Sequence, residues 1–259
     1  MKINHSPKSF PGFWQSVLLL VIIVLIQVAL AIPIVIYDYI NNTHVVNHPA
    51  TLGFINLISI GIVILIGKKF TDKSYPEVLP LKKVSAVQFI TVLLTAVGLS
   101  IVLSDLDNLI RMLIPMPDFI EKIFSDLLSN ESGLLISLFT IVLVAAFSEE
   151  FLFRGLFFQG YEERYGSTKA IFYTALMFGL FHMNPWQFSG AVILGAVYAW
   201  WFVLTRNLWL CVLGHGFNNL ISVLGVRYFP VQGFSSDVSS EPRFQPFWFL
   251  LIGIVLSAA

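Results

Sequence analysis

The stretch Gly133–Gly160 reads GLLISLFTIVLVAAFSEEFLFRGLFFQG. It exceeds the run of about 20 apolar residues that a helix needs to cross a hydrocarbon core. Yet Glu149, Glu150 and Arg154 stand inside it. An ionisable side chain in a spanning helix costs about 2.5–3.5 kcal/mol on insertion scales. A segment that only had to span would not carry three of them. They persist where they pair or face a polar cavity.

The rest of the chain has the same character. Of 259 residues 57% are hydrophobic and 12% charged, with mean hydropathy +0.82, whereas a soluble domain carries about 25% charged residues. Eight apolar runs follow one another, at 13–37, 51–67, 84–103, 133–160, 168–183, 187–205, 207–226 and 245–259. They predict an all-α polytopic membrane protein of about eight transmembrane helices, one integral membrane domain over residues 1–259. The last run stops at LIGIVLSAA without a basic flank, as a truncated chain would. Lys2 and Lys8 precede the first run, but it continues past Ala31 to Tyr37, too long for a signal peptide's apolar region.

Charge sets the expected orientation. With the N-terminus inside, one face holds Lys2, Lys8, Lys68, Lys69, Lys73, Lys82, Lys83, Arg154, Arg164, Lys169 and Arg206; the other holds Arg111, Lys122, Arg227 and Arg243. The positive-inside rule then makes the N-terminus cytoplasmic. The loop GKKFTDKSYPEVLPLKK faces the same side as a solvated basic segment suited to anionic membrane lipids. On the outer side PMPDFIEKIFSDLLSNES places Phe119, Ile120, Ile123, Phe124, Leu127 and Leu128 at helical spacing, as an interfacial helix does. A net charge of zero gives no reason to expect nucleic acid, and one cysteine, Cys211, excludes an internal disulfide framework.

The deep polar residues are few: Glu149, Glu150 and Arg154 on the fourth run, His182 ending the fifth, and His215, Asn218 and Asn219 on the seventh. Glu150 and Arg154 are four apart and share a helix face, so they read as an ion pair. Glu149, rotated by about 100°, has no local cation. Phe178 and His182 repeat the four-residue spacing, as do His215 and Asn219, while Asn218 points elsewhere and suits an interhelical hydrogen bond. Counting from the turn at Gly166, Glu149 and His182 both lie roughly 25 Å away along their helices. His215 lies about 14 Å past the Arg206 turn, a gap that narrows if YEERYG extends the first hairpin. A shared site on helices four, five and seven follows, with a cavity expected to open toward the cytoplasmic turns.

These residues form three motifs in order: EEFLFR as EExxxR, FGLFH as FxxxH, and HGFNN as HxxxN. The set resembles the CPBP family of intramembrane proteases, also called Abi, which includes type II CAAX prenyl endopeptidases and bacterial proteins of bacteriocin processing and self-immunity. The likeness spans a motif-bearing core at 133–226. The resemblance implies that Glu149 is the catalytic glutamate activating water and His182 its assistant. It implies that His215 and Asn219 line the site and stabilise an oxyanion, that Glu150 and Arg154 support it, and that Phe178 is its motif aromatic. It implies a bacterial plasma membrane and a membrane-associated peptide or protein as substrate.

Two mechanisms fit that reading. In one, Glu149 activates water without a metal; in the other, His182, His215 and a carboxylate hold zinc. The absence of HExxH and the presence of an amide, Asn219, favour the metal-free form. The competing classes are a non-proteolytic bacteriocin-immunity or scaffold protein, which would have no use for Glu149, and a transporter using the same residues as a proton relay. Paired interrupted segments, the mark of inverted-repeat transporters, are not evident.

Overall fold

A computed structural model describes residues 9–128, 133–228, 231–234 and 241–258. Lys2, His5 and Lys8 lie outside these residues, as do the side chains of Leu127, Leu128 and Arg227. Eight apolar helices carry the described chain: α1 (Phe13–Asn41), α2 (Pro49–Lys68), α3 (Ala86–Leu113), α4 (Leu134–Tyr165), α5 (Ser167–Phe181), α6 (Pro185–Thr205), α7 (Leu208–Tyr228) and α8 (Phe247–Ser257). No strand occurs among the described residues. The polytopic all-α architecture agrees with the hydropathy pattern.

The count of eight spans is not reproduced among the described residues by helix length and composition alone. Six helices are long and apolar enough to cross a membrane, whereas α5 has 15 residues and α8 has 11. At about 1.5 Å per residue these two fall short of a hydrocarbon core about 30 Å thick. The cause at α5 is local. Met183 adopts φ 52°, Asn184 caps the next helix by accepting from the Gln187 amide at 2.8 Å, and Pro185 opens it. The apolar run therefore continues while the helix stops.

The central helix α4 is not regular. Its Leu138–Val144 and Phe151–Phe157 segments are π-helical, and the ordinary turn Ala145–Glu150 between them carries both glutamates. Thr140 and Ser148 donate their hydroxyls to carbonyls four residues back, each at 2.8 Å, an interaction that bends helices. Wide turns of this kind occur frequently at functional sites.

One end of the bundle is densely sealed. Phe153, Phe157, Phe158, Tyr161, Phe202 and Cys211 are fully buried there or nearly so. Over them lies the lysine loop. Gln159 donates to the Val78 carbonyl at 2.7 Å, Lys73 meets Gln159 and Glu163 at 2.9 and 2.8 Å, and Leu208 donates to Pro80 at 2.9 Å. Asn207 closes the same seam by accepting from the Lys82 amide at 3.0 Å. Arg206 pairs with Glu162 at 2.7 Å, so YEERYG does extend the α4–α5 hairpin to the level of the α6–α7 turn. The amphipathic helix Asp118–Leu128 forms where the sequence pattern placed it.

Candidate active site

Two adjacent carboxylates on α4 meet different fates. Glu150 accepts from Arg154 Nη1 at 2.9 Å, and both side chains are wholly buried. The guanidinium then donates from Nη2 to the Gly195 carbonyl on α6 at 2.9 Å. It lies against the rings of Phe178 and Tyr198, 4.8 and 5.4 Å from their centroids, as cation–π contacts. Gly195 makes room for this, since a Cβ there would lie 3.0 Å from the Ala175 Cα.

The same Glu150 Oε1 sits 2.9 Å from His215 Nδ1 on α7. An ionised carboxylate only accepts, so Nδ1–H is the donor, and in the neutral imidazole Nε2 then keeps its lone pair. That nitrogen lies 4.0 Å from Glu149 Oε2. Glu149 Oε2 is buried and has no hydrogen-bond partner, as is also true of Glu150 Oε2. A buried carboxylate oxygen without a partner is expensive. The His215 ring is stacked on Tyr198 at 5.9 Å and stands edge-on to Phe178 at 5.5 Å, so its plane is fixed from two sides.

His182 and Asn219 join through the backbone. His182 Nδ1–H donates to the Phe178 carbonyl at 2.9 Å, leaving its Nε2 as an acceptor. Asn219 Nδ2 donates to the Ile141 carbonyl at 2.8 Å, inside the first π-helical segment of α4. Phe178 touches Arg154, His182 and His215 and is the hub of the cluster. Asn218 accepts from Ser100 on α3 at 3.1 Å, the interhelical bond its face suggested.

A cavity of about 410 Å³ reaches this cluster, with Phe178, His182, Leu194, Tyr198, His215 and Asn219 among its deep walls. Glu149 is not in the wall; it stands one side chain behind it, next to His215. The other end of the cavity is lined by Asp107, Arg111, Met116, Phe124, Trp186 and Gln187. These belong to the end of α3, the loop and helix that follow, and the start of α6. The lysine loop does not line this cavity. That loop is bonded across α4 and α7 and closes its end, whereas the early stop of α5 at His182 leaves the other end hollow.

Sequence reasoning missed several of these residues. Asp107 and Arg111 repeat the four-residue spacing of Glu150 and Arg154, but the third apolar run was ended at residue 103 and α3 continues to Leu113. Tyr198 was hidden in the apolar run GAVYAWW, with its hydroxyl as the only signal. The Glu150–His215 bond joins residues 65 apart and has no local signature.

Among the described residues no group of three or more His, Cys, Asp or Glu side chains is placed to hold a metal ion. Glu149 Oε2 and His215 Nε2 supply two neighbouring donors, and His215 Nδ1 is already committed to Glu150.

Residues 131–221, which contain all three motifs, match the family described as type II CAAX prenyl endopeptidase, Rce1-like. No curated protein and no solved structure matches the chain.

Proposed function

We propose that this chain, whose match over residues 131–221 supports membership of the CPBP/CAAX protease family, is an intramembrane endopeptidase that hydrolyses a membrane-associated peptide or protein with water activated at Glu149. The observation that carries this reading is the unpartnered Glu149 Oε2 facing Nε2 of His215 at 4.0 Å, with the imidazole taken as neutral. Two acceptors face each other across that gap. A water beside it, reached from the cavity floor, can donate one hydrogen to each.

In that arrangement the water proton passes to Glu149 as the water oxygen bonds the scissile carbonyl carbon. The carbonyl π electrons move to oxygen, and the second amide hydrogen of Asn219 is available to that oxyanion. The carbon–nitrogen bond then breaks, and the leaving nitrogen takes the proton from Glu149. His215 holds the water and does not donate to the oxyanion, because Glu150 fixes the tautomer in which Nε2 is bare. His182, half-buried with Nδ1 bonded to the Phe178 carbonyl, is the group in this reading that receives the proton the new carboxylic acid releases. No step passes through a metal. A scaffold or immunity protein without catalysis would gain nothing from burying an unpaired carboxylate, which costs stability.

The test is a comparison of membrane proteomes from cells carrying the wild-type protein or Glu149→Gln. New peptide termini that depend on Glu149 and arise in membrane-associated proteins support the reading. Identical termini in both strains, with both proteins present and folded, sink it.

A further inference from the structure

The peptidase reading leaves one carboxylate of the cavity without a use. Asp107 stands in the wall, half-buried, near the end of α3. Glu150 and Arg154, at the same four-residue spacing, close on each other at 2.9 Å. Asp107 does not close on Arg111 in that way. Among the described residues it has no hydrogen bond and no ion pair, and the charge of Arg111 acts on it only at longer range. Arg111 is buried and has contacts of its own. Ser104, one turn before Asp107, commits its hydroxyl to the Gly233 carbonyl at 2.9 Å. The neighbouring wall is apolar, with Ile110, Phe124 and Trp186. Trp186 is held there by donating to the Ile114 carbonyl at 2.8 Å. A carboxylate in such a wall loses hydration without gaining a partner, which costs stability.

We propose that Asp107 is a subsite for one cationic side chain, lysine or arginine, of the peptide that the cavity holds; this rests on the peptidase reading above. Its carboxylate borders the cavity and is not spent on the protein, so an ammonium or guanidinium completes it with a charge-assisted hydrogen bond. The apolar wall beside it suits the methylene stem of such a side chain, whose charged head then meets the acid. The level of Asp107 sets the register. Ser100 donates to Asn218 at 3.1 Å, which puts Ser100 beside the motif residues of α7. Asp107 lies about 10 Å beyond Ser100 along α3, and His215 lies about 6 Å from Asn219 along α7. An extended peptide advances about 3.3 Å per residue, so the cation belongs about three to five residues from the scissile bond.

The peptide termini that depend on Glu149 supply the probe. A lysine or arginine should stand at that distance from the cut. One cleaved segment is then made as two synthetic peptides, with this cation kept or replaced by methionine. Both are assayed with purified wild-type protein and Asp107→Asn, a cycle that isolates the pair. Asp107→Asn should raise KM for the cationic peptide about tenfold or more, as loss of a hydrogen bond to a charged group does, and leave KM for the methionine peptide unchanged. Its thermal midpoint should equal or exceed that of wild type, since the substitution breaks no bond within the protein. Acidic residues at that distance, or no preference there, would overturn the subsite and leave the peptidase reading standing. A KM unchanged for the cationic peptide, a KM raised equally for both peptides, or a lowered thermal midpoint would do the same. Absence of any Glu149-dependent terminus would instead remove the peptidase reading, and the subsite with it.

Discussion

Replacing Glu150 by glutamine should unfold what replacing Glu149 by glutamine leaves intact. Glu150 Oε1 serves two donors at 2.9 Å, Arg154 Nη1 and His215 Nδ1. A glutamine oxygen still accepts from both, but the negative charge is gone. Arg154 is then a wholly buried guanidinium whose remaining partners are one carbonyl and two ring faces. Stranding one member of a buried pair costs about 3–5 kcal/mol. That is a large share of the roughly 5–15 kcal/mol by which a folded domain is stable. Glu149→Gln removes a charge that has no partner, so its fold should be unchanged or more stable, while loss of a general base should lower the rate by about 10²–10⁴. Size-exclusion profile and thermal midpoint in detergent measure the first quantity, and turnover of a processed substrate measures the second. A Glu150→Gln variant that is stable and inactive, beside a Glu149→Gln variant that aggregates, would show the two roles to be reversed.

Other perturbations separate the remaining contacts. Phe178→Leu should cost up to about 2 kcal/mol from the Arg154 contact and lower activity, because the ring also positions His182 and His215; thermal midpoint and rate should fall together. Gly195→Ala should cost about 1–3 kcal/mol by pushing α6 off α5, read as lower folded yield. Asn219→Ala loses one interhelical hydrogen bond, worth about 0.5–1.5 kcal/mol, and its larger effect should be on turnover. Elemental analysis of the purified protein should find no stoichiometric zinc; near-unit zinc lost in both His182→Ala and His215→Ala would establish the metal mechanism instead.

How much of this was legible depended on distance along the chain. The Glu150–Arg154 pair, the His182–Phe178 contact and the amphipathic helix at 118–128 all rest on spacings of four residues or on one helical face. Such spacing is written in the sequence. The bond from Glu150 to His215 and the tying of the lysine loop to α4 and α7 depend on which helices become neighbours. Hydropathy carries no register for that. It did bound α5, whose run at 168–183 matches the helix Ser167–Phe181 with His182 at its C-cap.

The two π-helical segments of α4 explain how one helix serves so many partners. Each wide turn adds a residue relative to α spacing and so rotates the chain beyond it by about 100°. The first segment presents the Ile141 carbonyl to Asn219 on α7. The ordinary turn that follows holds Glu149 and Glu150 toward His215, also on α7. The second segment contains Arg154, which reaches across to Gly195 on α6 while keeping its bond to Glu150. The poorer hydrogen-bond geometry of the wide turns is thus offset by the buried pair they assemble. Glu149, left over, has a buried Oε2 with no hydrogen-bond partner.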